Sequence, residues 1–288
     1  MRMDNQEESQ NVEDVRESSG GFQFRPFHGI SLGTVVIALL AGWFFGINPL
    51  QVLGLLGGTT SNVAPAPATP PPAGDPQAHF VSQVLRSTEV VWGEAFSQLG
   101  RTYENPKLLL YRDSYPTACG RGDAAAGPFY CPNDRRIYLD LSFFDLMTRQ
   151  LGAPGQFAHA YVIAHEVGHH VQNLLGTLDR PDAAGVRGGE TGASGHSVRT
   201  ELQADCFAGV WAKRSQSEQG WRLEPGDIES ALNAASQIGD DTLQRRSQGT
   251  VVPESFTHGT SAQRVNWFKR GVEAGDIKAC DTFSASQL

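Results

Sequence analysis

The sequence lacks any cluster of basic residues. Its 288 residues carry 23 Lys and Arg against 31 Asp and Glu, which gives a formal net charge of −8. Proteins that bind nucleic acid neutralise phosphates with clustered Lys and Arg, so this composition argues against a nucleic-acid partner.

Charged residues are also absent from residues 26–74. Inside this gap, residues 30–47 form an apolar run of about the minimum length for a transmembrane helix, roughly 17–20 residues. The run is longer than the apolar core of a cleaved signal peptide, about 7–15 residues, and the leader before it is long and acidic. We therefore predict an uncleaved anchor over residues 30–56 rather than a signal peptide or a buried core helix.

The segments that flank this anchor predict the domain organisation. Residues 1–29 are polar and acidic, as in a disordered tail, and residues 57–76 are Pro-rich, as in a semi-rigid linker. Arg25 precedes the span and Asp75 is the first charge after it, which predicts a cytoplasmic N-terminus. Residues 77–288 are then expected to form one catalytic domain outside the cytoplasm, in a single-pass membrane protein.

Cysteines in C-x-x-C spacing are absent, so none of the four forms a typical zinc-binding pair. Cys119, Cys131, Cys206 and Cys280 allow three disulfide pairings. Cys119 and Cys131 bracket a short loop, and a Cys206–Cys280 bond would tie a central helix to the C-terminal tail. We predict these two disulfides, which agree with an oxidising compartment; the alternative is four reduced, buried thiols.

Hydrophobic periodicity predicts strands early and helices late in the chain, as in an α+β fold. The expected strands cover residues 107–112, 127–131 and 136–140. The expected helices cover residues 79–99, 141–151, 156–175, 197–215, 227–238 and 261–274. The expected domain is therefore mostly helical, with a small antiparallel or mixed sheet, and one transmembrane helix precedes it.

The helix predicted over residues 156–175 carries the clearest chemistry. His165, Glu166 and His169 form the pattern H-E-x-x-H. Residues four apart lie on one face of a helix with Cβ atoms about 5–6 Å apart, so the two imidazoles can bind one Zn²⁺. Glu166 is about 100° further round the helix and can approach a reacting water without being a ligand. The alternative is a solvated helix face that carries two histidines.

A catalytic zinc site needs a third protein ligand. Glu201 and Asp205 lie four residues apart in the helix predicted over residues 197–215, so they share a face. We expect Glu201 to be the third ligand of a single zinc ion. Asp205 is then placed to accept a hydrogen bond from the non-ligating nitrogen of His165 or His169. The alternative is a pair of exposed acids.

These motifs resemble a known family. The run H-E-V-G-H-H-V-Q-N-L-L-G with the later E-L-Q-A-D-C is similar to the neutral zinc metallopeptidases of bacteria, which are usually membrane-anchored. The resemblance covers residues 77–283 and includes G-P-F-Y-C-P-N-D-R-R-I-Y-L-D (residues 127–140) and S-F-T-H-G-T-S-A-Q-R-V-N-W-F-K-R-G (residues 255–271). The pairing of H-E-x-x-H with a distant E-x-x-x-D also resembles the thermolysin-like glutamate-zincins. These resemblances imply a zincin-like fold, zinc held by the motif histidines and Glu201, and hydrolysis of internal peptide bonds.

The resemblance also implies roles in the reaction. Glu166 is expected to act as general base and His258 to stabilise the oxyanion, with Arg264 as the alternative donor. A strand edge within residues 127–131 is expected to receive a peptide or protein substrate by strand addition.

Other interpretations of the same residues remain. His159 and His170 are expected to point away from the metal, because their spacing from the ligand histidines places them elsewhere on the helix. A degenerate zinc-binding protein that acts as a membrane-tethered interaction module is one alternative function. A zinc hydrolase that acts on a non-peptide amide is the other.

Overall fold

The strands of the protein are short and come from distant parts of the sequence. The computed structural model describes residues 1–3, 6–17, 68–123, 127–178, 191–216 and 221–288. Strands within these residues are β1 Arg2–Met3, β2 Val12–Asp14, β3 Lys107–Tyr111, β4 Ser114–Thr117, β5 Gly120–Asp123, β6 Phe129–Cys131, β7 Arg136–Asp140 and β8 Trp221–Arg222.

Four strands form the main sheet, in the order β2–β3–β7–β6. Strands β2, β3 and β7 are parallel, whereas β6 runs antiparallel to β7 and forms one edge. Strand β3 reads K-L-L-L-Y and is buried at its last four residues, as expected of a strand covered on both faces. Strand β1 pairs with β8, and β4 pairs with β5, in two separate ribbons.

Seven α-helices are present in the described residues, and most of them follow the sheet in the sequence. They are α1 Pro76–Gln98, α2 Ser142–Leu146, α3 Gln156–Leu175, α4 His196–Arg214, α5 Asp227–Gln237, α6 Asp240–Gln248 and α7 Ser261–Ala274. A π-helical turn, Met147–Leu151, continues α2, and 3₁₀ turns cover Pro253–Ser255 and Ile277–Cys280. The predicted α+β class with a small mixed sheet is confirmed.

Helices α3 and α4 lie at the centre of the core, because apolar residues surround most of each helix. Phe157 and Tyr161 of α3, and Phe207 and Trp211 of α4, are each at most 1 % exposed. Phe157 stacks on Trp211 with ring centroids 5.9 Å apart. Each such buried side chain stabilises the fold by about 1.5–3 kcal/mol relative to an exposed one, which fixes the two helices against each other.

Helix α7 crosses α4 at two glycines. A Cβ atom on Gly209 or on Gly271 would overlap the backbone of the opposite helix, so the two axes can approach only because both side chains are absent. A capping box between Thr260 and Gln263 fixes the start of α7. The crossing places Arg264, in the first turn of α7, against helix α3, where its Nη2 lies 3.4 Å from the Tyr161 hydroxyl.

The prediction of a disordered tail over residues 1–29 is wrong for its described part. Strand β2 lies beside β3 in the main sheet, and Glu13 of β2 forms ion pairs with Lys107 at 2.7 Å and with Arg136 at 3.0 Å. Glu13 belongs to the acidic pattern that suggested disorder, but it forms ion pairs with basic side chains of the neighbouring strands. Residues Met1–Arg16 belong to the same compact unit as Ala68–Leu288.

The predicted membrane topology is also wrong. In the part of the chain that the structure describes, no helix has the length and apolar character needed to cross a bilayer. The expected span, residues 30–47 within 30–56, lies outside the described residues. A single crossing there would put residues 1–16 and residues 68–288 on opposite sides of a membrane, but β2 of the first segment is hydrogen-bonded to β3 of the second. The arrangement of a cytoplasmic N-terminus and an extracytoplasmic domain is therefore excluded for a single pass.

Candidate metal centre and active site

Helix α3 presents the H-E-x-x-H residues on one side. It begins after Gly155, whose φ of 113° is disfavoured for other residues, and ends at Gly176, whose φ of 73° gives a left-handed cap. No proline interrupts the helix between these glycines. His165 and His169 therefore lie one turn apart, with ring centroids separated by 4.8 Å.

A close approach of α4 brings Glu201 to the two histidines. A Cβ atom on Gly168 would lie 2.9 Å from the Ala204 carbonyl oxygen, so glycine is required at this contact. Glu201 Oε2 lies 3.1 Å from His165 Nε2, and Glu201 Oε1 lies 3.4 Å from His169 Nε2. The three predicted ligands meet, and one ligand atom from each lies within 4.8 Å of the other two.

The donor set of this cluster fits a zinc ion. Two imidazole nitrogens and one carboxylate oxygen form a common protein ligand set of catalytic zinc sites, in which the fourth position stays open. The Nε2 atoms of both histidines face Glu201, whereas both Nδ1 atoms are bonded to other side chains. Each ring is therefore held with its ligating nitrogen toward the cluster.

Asp205 orients His165, as its spacing from Glu201 predicts. Its Oδ1 lies 2.8 Å from His165 Nδ1, and the carboxylate is fully buried. Tyr161 donates its hydroxyl to the same oxygen at 2.5 Å, and Arg264 donates through Nε and Nη2 at 2.9 Å each. Burial raises the pKa of Asp205, but Arg264 and His165 outweigh this effect and lower it to about 2. The carboxylate is ionised at neutral pH and keeps the His165 proton on Nδ1.

His169 is held by neutral groups instead. Its Nδ1 donates to Gln172 Oε1 at 2.9 Å, and Gln172 Nε2 donates to the Thr200 carbonyl at 2.8 Å and to Gln203 Oε1 at 3.1 Å. Gln203 Nε2 in turn donates to the Cys280 carbonyl at 2.9 Å. This chain of amides connects the second histidine to α4 and to the C-terminal 3₁₀ turn.

Glu166 lies on α3 between the two histidines and is 7 % exposed. Burial raises the pKa of its carboxyl group above the ordinary value, although His169 and His165 oppose the rise. Glu166 lines the same cleft as His165, His169 and Glu201. Its carboxylate is therefore available to a molecule that enters the cleft beside the cluster.

The cleft has a volume of about 540 Å³ and lies between α3 and the edge strand β6. Strand β6 pairs with β7 on one side only, among the described strands. The cleft is otherwise mainly apolar, and its lining includes Phe143, Leu146, Leu151, Val162, Ile238 and Leu243.

His258 lines the cleft, and its side-chain hydrogen bonds in the described residues go to Thr257 and Asp240 rather than to the three-residue cluster. Its side chain is 50 % exposed, and its Nδ1 is 3.3 Å from Asp240 Oδ1. Asp240 Oδ2 also accepts the backbone N–H groups of Thr257, His258 and Gly259, at 2.7–2.9 Å. Burial raises the pKa of Asp240, but the hydrogen bonds from His258 and Thr257 lower it overall. Asp240 thus fixes the loop that carries His258.

The two disulfides are the predicted pairs. Cys119 is bonded to Cys131 at the end of β6, and Cys206 of α4 is bonded to Cys280 in the C-terminal 3₁₀ turn. The second bond starts one residue after Asp205, so it anchors the helix that supplies Glu201.

Two further histidines of α3 lie away from the cluster, as expected. His159 stacks on Phe144 with ring centroids 4.3 Å apart. His170 is fully buried and is hydrogen-bonded to Tyr130 and to the Glu104 carbonyl.

Comparison with known proteins agrees with this geometry. The family model described as "Putative neutral zinc metallopeptidase" matches residues 1–283. The chain belongs to this zinc metallopeptidase family. The match begins at residue 1 and so includes strands β1 and β2, which lie outside the predicted resemblance over residues 77–283.

Two curated relatives illustrate the extent of the family. The uncharacterized protein YpfJ of Escherichia coli K12 is 48 % identical over 291 residues, which cover 99 % of this chain and 100 % of the relative. The uncharacterized protein Rv2575 of Mycobacterium tuberculosis H37Rv is 45 % identical over 211 residues, 70 % of this chain and 69 % of the relative. No solved structure matches the chain.

Sequence reasoning missed two residues of the site, Gln172 and Gln203, and gave a third, Arg264, a different role. Gln172 and Gln203 hold His169, and Arg264 binds Asp205 rather than standing free as an oxyanion donor. The spacing of Gln172, three residues after His169 on the helix, was the one local signal for its role.

Proposed function

We propose that the protein is a zinc-dependent endopeptidase in which His165, His169 and Glu201 hold one zinc ion. The observation that carries this proposal is the convergence of their three ligand atoms within 4.8 Å of one another. Glu166 lies beside them, in a cleft whose other side is strand β6, which has no partner on its outer edge among the described strands. When bound, zinc supplies a Lewis acid that polarises a carbonyl and makes water more acidic.

Glu166 is the proposed general base. Peptide hydrolysis adds a hydroxyl group to the carbonyl carbon, breaks the C–N bond and adds a proton to the leaving nitrogen. The Glu166 carboxylate takes the proton from the attacking water and then delivers it to that nitrogen. The burial of Glu166 supports this role, because a raised pKa makes its carboxylate a stronger base that accepts the proton of water more readily.

The substrate is proposed to be an extended peptide that adds to strand β6. Its free edge offers backbone hydrogen bonds that do not depend on side-chain identity. The apolar lining beside Glu166, which includes Val162 and Leu146, favours a large apolar side chain next to the bond that is cleaved.

Cleavage at internal bonds is favoured by the charges of the cleft. Arg264 is the only Lys or Arg among the described residues that line it, and both of its hydrogen bonds to Asp205 are already formed. The described lining therefore offers no free cation to bind a C-terminal carboxylate, as a carboxypeptidase would need.

His258 is the proposed second donor to the developing oxyanion. Arg264 is committed to Asp205, which argues against the alternative. The half-exposed side chain of His258 lines the cleft, where a bound substrate can meet it, while Asp240 holds its backbone. A positioned donor at the oxyanion is worth a factor of about 10²–10³ in kcat.

Substitution Glu166→Gln tests the proposed function. The variant should lose a factor of about 10²–10⁴ in kcat because it cannot accept the proton, while its zinc content stays that of the wild type. Glu94→Gln, at an exposed position of α1, is the matched control. Full activity in Glu166→Gln would remove Glu166 as the base. Bound zinc without cleavage of any peptide by the wild type would instead favour the interaction module or a non-peptide amidase.

A further inference from the structure

The histidine that follows the second proposed ligand has hydrogen-bond partners for both ring nitrogens, on the face of α3 next to that of the ligands. His170 is fully buried. Its Nε2 lies 2.7 Å from the Glu104 carbonyl oxygen, and its Nδ1 lies 3.0 Å from the Tyr130 hydroxyl. A carbonyl only accepts, so Nε2 carries the proton and Nδ1 accepts the hydrogen of Tyr130.

Asn173, one turn further along α3, completes the arrangement. Its Nδ2 donates to the Tyr130 hydroxyl oxygen at 2.8 Å. The hydroxyl therefore donates to one residue of α3 and accepts from another, which fixes its direction as well as its distance. No other tyrosine hydroxyl in the described residues is shared between two side chains of α3.

Tyr130 is the middle residue of edge strand β6, and both it and Phe129 line the cleft. The strand has three residues and, in the described part of the chain, one neighbouring strand, so its ladder hydrogen bonds are few. Cys131, the next residue, is held by its disulfide to Cys119. The hydrogen bonds to Tyr130 are a direct side-chain connection between this strand and the helix that carries His165 and His169.

We propose that His170 and Asn173 act through Tyr130 as positioning residues. They fix the position of the substrate-binding edge of β6 relative to the face of α3 that carries the proposed zinc ligands. One face of α3 would then hold the proposed ligands, while the adjacent face holds the strand that receives the peptide, so that both border the same cleft. The inference rests on the proposed function, because it assigns a role in peptide binding to β6.

Loss of the hydroxyl should affect substrate binding more than chemistry. Tyr130→Phe leaves the ring in place but removes the partner of His170 Nδ1, and it leaves Asn173 Nδ2 with only the longer contact to the Pro132 carbonyl, at 3.4 Å. Strand β6 is then free to shift. A peptide that binds must fix its position, and this cost weakens binding. We expect KM to rise by about tenfold, the factor that corresponds to one lost buried hydrogen bond. The kcat value and the zinc content should stay within about twofold of the wild type.

Tyr138→Phe is the matched control. Tyr138 lies on the adjacent strand β7, opposite Phe129 in the ladder, and its hydroxyl donates to Asp134 Oδ2 at 2.7 Å rather than to α3. This control removes a buried tyrosine hydrogen bond from the same sheet without touching the connection to the motif helix. Asn173→Ala is a second test, at a partly exposed position, in case Tyr130→Phe does not fold.

The experiment measures KM, kcat and zinc content for the four proteins on a quenched-fluorescent octapeptide with a central Gly-Leu bond. A rise in KM for Tyr130→Phe and Asn173→Ala, with Tyr138→Phe at the wild-type value, supports the inference. Equal KM values for Tyr130→Phe and Tyr138→Phe, or a fall confined to kcat, overturn it. A zinc-loaded wild type that cleaves no peptide contradicts the proposed function, and this inference with it.

Discussion

Nδ1 of His165 lies 2.8 Å from Oδ1 of Asp205, and Arg264 binds the same carboxylate through two hydrogen bonds of 2.9 Å. His165 comes from α3, Asp205 from α4 and Arg264 from α7, so the orientation of one imidazole depends on three helices. The close crossing of α4 and α7 at two glycines is what permits this contact. The geometry of the proposed zinc ligand is therefore coupled to the packing of the core.

The first prediction concerns the carboxylate behind His165. Asp205→Asn keeps the shape of the side chain but removes its charge, so His165 becomes a weaker and less well-oriented ligand. Zinc affinity should fall by about 10–100-fold, as measured by competition with a chromogenic chelator. Asp145→Asn, an exposed carboxylate whose side chain is 63 % accessible, is the control. Equal affinities of the two variants would show that Asp205 does not support the metal site.

The second prediction concerns the amides behind His169. Gln172→Ala should lower zinc affinity by about tenfold, the lower end of the range for such partners, because the lost hydrogen bond is neutral. Gln203→Ala should have a smaller effect, since Gln203 acts only through Gln172. The double variant should resemble Gln172→Ala alone, because the second deletion removes a partner that is already lost. Additive losses in affinity would contradict a shared role, and Gln77→Ala on the exposed start of α1 is the control.

The third prediction concerns acid stability and the loop of His258. The pKa of Asp240 is lower in the folded protein than its ordinary value of 3.8. Its stabilisation is therefore fully present above about pH 5 and is lost as the pH falls through the lower, folded-state pKa. Asp240→Asn should reduce the free energy of unfolding by about 1–3 kcal/mol at pH 7, and the difference from wild type should shrink below pH 4.

Urea denaturation of both proteins across this pH range measures that difference. Glu229→Gln, which removes a carboxylate at an exposed position of α5, separates the effect of Asp240 from a general loss of negative charge. A difference that stays constant from pH 7 to pH 3 would mean that the ionisation of Asp240 does not stabilise the loop.

Local sequence signals predicted the helix that carries the chemistry. The predicted bounds of α3 agree with the observed Gln156–Leu175, because glycines mark both ends and apolar residues recur between them. The four-residue spacing of Glu201 and Asp205 placed both on one face of α4, where the structure has them. The predictions that depend on one helix and its caps were therefore accurate.

Features that depend on tertiary contacts were not predictable in the same way. Helix α6 was missed because only Asp240 is buried among its nine residues, so it lacks a periodic apolar stripe. Acidic residues in its first turn and arginines in its last turn favour the helix dipole instead. Arg264 was predicted to lie near the reaction, but its pairing with Asp205 follows from the α4–α7 crossing, which no local pattern reports. Strand β2 was missed because Glu13 finds its basic partners on strands about 100 residues away along the chain.

The most direct test of zinc-dependent peptide hydrolysis is a single titration on the purified wild-type protein. Cleavage of the Gly-Leu octapeptide is followed while a chelator removes the metal and stoichiometric zinc is then returned. We predict that cleavage stops as zinc leaves and recovers when about one zinc ion per chain is restored. Cleavage that continues in the zinc-free protein, or a folded protein that never binds zinc, would contradict the account.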